Sequence, residues 1–144
     1  MFILEVISAL DRYKAKYAII GGYALSFHGL VRATMDIDLA VLLNPVQLKN
    51  IEKALQSIGL TSRLPLNSAD IAQFREEYIK KRNLIVWSFV DFKDPTRMVD
   101  ILLTDSLRSF RVESLNFKSH RIRVVSLKDL LKLKQKSKRP KDLL

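Results

Sequence analysis

Residues 36 to 42 read Asp-Ile-Asp-Leu-Ala-Val-Leu, and this short run constrains the chain more than any other. Ile37, Leu39 and Val41 alternate with the two aspartates, the two-residue period of a strand with one polar edge. Side chains two apart on a strand point the same way, so Asp36 and Asp38 share one face. Like charges that close repel. Either solvent at a strand end relieves them, or a divalent cation bridges both, because hard oxygen ligands and retained waters suit Mg²⁺.

The surrounding pattern fits a sheet protein that carries such a strand. Residues 3 to 14 place Ile3, Leu4, Ile7, Leu10 and Tyr13 at helical spacing. Tyr17 to Ile20 is a short strand running into Gly21-Gly22, and Tyr23 to His28 reads as a helix that stops near Gly29. Asn44-Pro45 is a helix-start signal for residues 45 to 57, ended by Gly59. Asn67-Ser68 begins another helix, 69 to 81. Residues 84 to 92 and 98 to 104 flank a polar turn at 93 to 96 and predict a β-hairpin. Residues 105 to 117 carry no decisive pattern. Arg121 to Val125 is a last strand, and Ser126 caps a helix to about residue 135. The order predicts an α+β (α/β-like) fold, a short mixed β-sheet flanked by helices, as one domain over residues 1–144.

Composition narrows the chemistry. The chain has no cysteine, which excludes disulfides, thiolate zinc sites and thiol nucleophiles. No apolar run approaches the roughly 18 residues of a membrane span. The N-terminal stretch carries Glu5 and Asp11 within its apolar pattern and reads as an amphipathic helix rather than a signal peptide, so a cytoplasmic location is expected. The net charge of +10 is uneven: residues 1 to 43 are neutral, 44 to 110 carry +2 and 111 to 144 carry +8. That basic C-terminal segment predicts either a polyanionic partner such as a nucleic acid or a solubilising face.

Three features combine into a constellation. A glycine pair at a helix start presents unpaired backbone N–H groups that a triphosphate can approach closely. Asp36 and Asp38 follow on the next strand. Asp100, between Val99 and Ile101, is the candidate third carboxylate of a two-metal site. Asp91, in Val90-Asp91-Phe92, is its rival, although its place before the hairpin turn suits a turn role.

Gly21-Gly22, thirteen residues, then Asp36-Ile37-Asp38-Leu39 resembles the glycine-pair and DhDh signature of the DNA polymerase β-like nucleotidyltransferase superfamily. The fuller string GGYALSFHGLVRATMDIDLAV is similar to its small prokaryotic members, the toxin/abortive-infection type and their aminoglycoside-nucleotidyltransferase relatives. Val99-Asp100-Ile101 matches the third-carboxylate strand. Ser126-Leu127-Lys128-Asp129-Leu130, Lys134 and Arg139-Pro140-Lys141-Asp142 match the C-terminal pattern, while residues 45 to 82 carry no motif.

The resemblance implies transfer of a nucleotidyl group from an NTP to an acceptor hydroxyl on tRNA, protein or a small molecule. It implies two Mg²⁺ ions, or Mn²⁺, held by Asp36, Asp38 and Asp100, with Asp100 also acting as, or orienting, the base for the acceptor hydroxyl. Gly21 and Gly22 would contact the triphosphate and Lys134 would neutralise it. Arg32 and Thr34 are further contact candidates, with a loop ion pair and a strand-entry hydroxyl as the alternatives. Ser26, four residues past Gly22, either faces the phosphates or satisfies a helix carbonyl. The family also includes inactive proteins, so a toxin–antitoxin-type module whose basic C-terminus binds nucleic acid or a partner is the other reading. Larger relatives carry an additional helical domain. A homodimer or an antitoxin-like partner protein is therefore expected to complete the cleft. His28 is expected to pack or cap, His120 to be an exposed strand residue, and Trp87, Phe89 and Phe92 to pack in the core rather than stack a base.

Overall fold

A computed structural model describes residues 1–30 and 36–137 of the chain. Its elements are α1 (Phe2–Arg12), β1 (Tyr17–Ile20), α2 (Gly21–Phe27), β2 (Ile37–Val41), α3 (Pro45–Ser57), β3 (Thr61–Ser62), α4 (Ser68–Arg82), β4 (Val86–Asp91), β5 (Asp94–Leu102), a 3₁₀ turn (Leu107–Ser109), β6 (Val112–Phe117), β7 (His120–Val125) and α5 (Leu127–Ser137). The seven strands form one mixed sheet in the order β3-β4-β5-β2-β1-β7-β6. This is the expected α+β architecture.

Local chemistry sets the helix boundaries. The Asn44 side chain accepts the Gln47 N–H at 2.8 Å, with Pro45 at the first helical position of α3. Asn67 and Asp70 form a reciprocal capping box at the start of α4, and Asn83 ends it in the left-handed conformation, φ 53°. α1 buries Ile3, Val6, Ile7 and Leu10, the stripe its spacing predicts, but ends at Arg12, so Tyr13 lies beyond it and is exposed.

The central strands bury one face completely. Ile19, Leu39, Val99, Ile101, Trp87 and Phe89 are all fully enclosed, each worth about 1.5–3 kcal/mol of hydrophobic stabilisation by its burial. Trp87 and Phe89 pack with ring centroids 4.5 Å apart, and the Trp87 indole N–H donates to Ser62 Oγ at 2.9 Å. That bond ties the two-residue strand β3 to β4. α2 packs against β1, β2, β7 and α5.

Several boundaries differ from the sequence expectation. α2 begins at Gly21 itself, with Ile20 as its N-cap, rather than after the glycines. The β4–β5 turn is only Phe92-Lys93, because Asp91 pairs with Asp94 across a register shift. The patternless stretch 105–117 holds the 3₁₀ turn and β6, an edge strand paired antiparallel to β7. Its half-exposed residues have no continuous apolar face, which is why alternation was not visible.

Candidate active site

The site is built from strand register. β1 runs antiparallel to β2 with Ile20 opposite Asp38, so the chain leaves β1 at Gly21 directly beside that carboxylate. Gly21 has φ +71°, and a Cβ placed there would overlap Asp38 Oδ2 and lie 3.0 Å from Cγ. Backbone and carboxylate therefore approach closer than any other residue type permits. β2 runs parallel to β5 with Asp38 opposite Asp100, and β4 runs antiparallel to β5 with Ser88 opposite Asp100.

Cross-strand partners share a face, so Ser88, Asp100, Asp38 and Ile20 form one transverse row on the face opposite Trp87 and Phe89. Asp38 and Asp100 are half-buried, whereas their neighbours Ile37, Leu39, Val99 and Ile101 are buried on the other face. Asp36, two residues before Asp38, is exposed.

Electrostatics tie these groups together. Burial pushes the Asp100 carboxyl above the ordinary carboxylate range. The Ser88 hydroxyl, donating to Asp100 Oδ1 at 2.6 Å, pulls it back, the Asp36 charge raises it again, and the Arg63 guanidinium lowers it. Among the described residues no three His, Cys, Asp or Glu side chains form a ready-made metal cage. An open set of carboxylate oxygens is the donor chemistry of Mg²⁺, which keeps several waters and takes substrate phosphates as ligands instead of an all-protein cage.

The remaining described candidates lie on α2 and α5. Gly22 is the buried second residue of α2, and Ser26 is exposed further along the same helix. Lys134 is half-buried on α5, the helix packed against α2. Lys136, in the basic C-terminal segment, pairs with Asp105 at 2.8 Å. Arg32 and Thr34 lie outside the described residues, as do Lys138, Arg139 and Lys141.

The rival Asp91 serves the turn: it accepts the Lys93 N–H at 2.9 Å and pairs with Arg97. His28 Nε2 meets the Val125 carbonyl at 2.9 Å, a packing role. His120 opens β7 half-buried rather than exposed, with its ring against the Lys118 carbonyl. Phe92 is 73% exposed and does not join Trp87 and Phe89 in the core, because it sits in the tight turn.

Sequence reasoning missed Ser88 and Arg63. Neither sits in a motif; only the pairing of β3, β4 and β5 brings them to Asp100. A surface depression of about 410 Å³, lined by Leu42, Arg75, Thr104 and Arg108 among others, lies past the other end of β2 and β5 and includes none of the row.

Two in-register aspartates beside a glycine-started helix, on a mixed sheet, fit the nucleotidyltransferase-type domain that the sequence resemblance implied. Comparison with protein-family models gives the same answer more narrowly. The model described as "Nucleotidyl transferase AbiEii toxin, Type IV TA system" matches residues 3–137, and the chain belongs to that nucleotidyltransferase toxin family. No curated protein and no solved structure matches significantly. No helix among the described residues is long and apolar enough to cross a membrane.

Proposed function

We propose that this nucleotidyltransferase is Mg²⁺-dependent and moves a nucleoside monophosphate from an NTP to the hydroxyl of an acceptor, with tRNA as the acceptor that its charge distribution suits best. The observation that carries the reading is the pairing of Asp38 with Asp100 while Gly21 packs against Asp38. In this reading Asp36, Asp38 and Asp100 hold two Mg²⁺ ions, or Mn²⁺. When bound, these ions supply the positive charge that draws the triphosphate and the acceptor oxygen together and stabilises charge developing between them.

The chain's own residues do the rest. Backbone N–H groups at Gly21 and Gly22 hold phosphate oxygens where no side chain intervenes. Lys134 neutralises the departing pyrophosphate, and Ser26, Arg32 and Thr34 contact the nucleotide. Asp100 orients the acceptor hydroxyl and receives its proton as the oxygen attacks the α-phosphorus. A new P–O bond forms, the α–β bridging P–O bond breaks, and pyrophosphate leaves. Ser88 keeps the Asp100 carboxylate pointed by its hydrogen bond. The +8 carried by residues 111 to 144 seats the acceptor's phosphates. Membership of a toxin–antitoxin family supports a cognate antitoxin as partner, and a second copy of the chain is the other candidate to close the open face of the sheet.

The test is incubation with each labelled NTP, Mg²⁺ and total tRNA, alongside calorimetric NTP binding with and without Mg²⁺. Label transfer and Mg²⁺-dependent binding are expected from the wild type, and neither from Asp36→Ala with Asp38→Ala, which keeps its fold. Full binding and transfer by that double variant would refute the assignment. A light-scattering mass of one chain would remove the homodimer.

A further inference from the structure

The carboxylate row does not stop at Ser88. β3 pairs antiparallel with β4, Thr61 opposite Val90 and Ser62 opposite Phe89. The ladder continues one residue further, because the Arg63 N–H donates to the Ser88 carbonyl at 2.9 Å. Arg63 is therefore opposite Ser88, and alternation puts its side chain on the Ser88–Asp100–Asp38 face. Ser62 confirms the parity from the other side: its Oγ takes the indole N–H of Trp87 in the core and donates to the Leu64 carbonyl at 2.6 Å. The segment carrying Arg63 is thus fixed by backbone pairing and by Ser62 on the core face, while the arginine itself is exposed. Strands lie about 4.8 Å apart, so Arg63 stands roughly 10 Å across the sheet from Asp100 at the backbone, a span that an extended arginine side chain can largely cover. Its charge is felt by the Asp100 carboxyl.

Position along the row gives Arg63 its role. Gly21, where the triphosphate is assigned, lies beyond Asp38 at one end. Arg63 stands at the other, past Asp100, the carboxylate assigned to the acceptor hydroxyl. A guanidinium there has five donors in a fork that matches phosphate oxygens.

We propose that Arg63 is the acceptor-side phosphate-binding residue of this transfer site, gripping a backbone phosphate of the acceptor next to its reacting hydroxyl. This rests on the reading of Asp100 and the glycine pair given above. The site would then favour a phosphate-bearing acceptor strand over a neutral small molecule, through a residue outside every motif of the chain.

The test compares wild type, Arg63→Gln, Arg63→Lys and the control Lys53→Gln, a change at an exposed lysine on α3. Binding of fluorescein-labelled total tRNA is followed by anisotropy from 50 to 200 mM salt, Mg²⁺·NTP binding by calorimetry, and transfer by KM and kcat. Arg63→Gln should weaken tRNA binding about fivefold and flatten the slope of log K against log salt by about 0.7–0.9, the signature of one lost phosphate contact. Its NTP affinity should stay within twofold and its kcat at saturating tRNA should hold, with Arg63→Lys intermediate and Lys53→Gln unchanged. Lost NTP affinity with intact tRNA binding would make Arg63 a triphosphate contact and overturn the proposal. So would an unchanged salt slope, an equal effect of Lys53→Gln, or a fall in kcat alone. A wild type that binds no Mg²⁺·NTP would instead defeat the underlying reading, and the tRNA arm would still decide Arg63.

Discussion

Gly21→Ala tests the close approach on which the site depends, and its magnitude follows from two separable effects. Gly21 holds φ +71°, where an L side chain is strained, and its new Cβ would overlap the Asp38 carboxylate. Gly59 supplies the control: it has φ +89° and nothing within 4 Å of a built Cβ, so Gly59→Ala carries the backbone strain alone. That strain costs about 1 kcal/mol net, after the entropy lost from the unfolded glycine is counted. In Gly21→Ala the Asp38 side chain must also leave its rotamer, adding about 0.5–1.5 kcal/mol. The total near 2 kcal/mol lowers Tm by about 6–8 °C, against about 3–4 °C for Gly59→Ala. Function separates them further, because only Gly21→Ala turns Asp38 away from Asp100. Mg²⁺·NTP binding measured by calorimetry should be lost in Gly21→Ala and retained in Gly59→Ala. In an Asp38→Ala background the carboxylate is gone and only the Cβ of residue 38, 3.2 Å from the new methyl, remains, so the cost of Gly21→Ala should fall towards that of the Gly59 change, a coupling of up to about 1 kcal/mol. Equal Tm values for the two glycine variants, or no coupling to Asp38, would refute the reasoning.

Asp100→Asn should abolish transfer yet raise stability at neutral pH in urea titrations, because a carboxyl whose folded pKa is raised by burial destabilises once ionised. That gain should vanish as pH falls below the ordinary carboxylate value. Tyr17 is 1% exposed, its hydroxyl has no hydrogen-bond partner among the described residues, and burial foremost pushes its pKa up to about 12. Between pH 10 and 12 the unfolded chain releases this proton and the folded chain keeps it, so wild-type stability should decline with pH there. Tyr17→Phe should remove that slope and cost less than about 0.5 kcal/mol at pH 7, as denaturant curves at each pH would report. Trp87→Phe should cost about 1–3 kcal/mol and, by releasing Ser62, weaken tRNA binding in the same direction as Arg63→Gln. Lys136→Ala breaks a pair whose lysine is largely solvent-exposed and should change stability by less than about 1 kcal/mol.

Local sequence determined what local physics can determine. The alternation of Ile37, Leu39 and Val41 with two aspartates made β2 and its acidic face legible, since strand parity needs no partner to be read. Asn44-Pro45 and Asn67 marked helix starts because capping is completed within one turn. The glycine pair, Asp36, Asp38 and Asp100 could be picked out with no knowledge of what paired with what. Pairing itself is non-local. The β2–β5 register that puts Asp38 beside Asp100 joins residues 62 positions apart. The β3–β4 ladder that brings Arg63 and Ser88 to the same row depends on a two-residue strand too short to carry a period. β6 was invisible for a related reason, being an edge strand without a buried face. Phe92 was misread because a one-residue change in where a turn begins moves a side chain out of the core. Charge behaved the same way: the total of +10 was fixed by composition, but only the fold engaged Lys136 with Asp105 and put the Arg63 charge where the Asp100 carboxyl feels it. The sequence alone determined which groups could do the chemistry, whereas strand register, set by burial across the whole sheet, decided which of them meet.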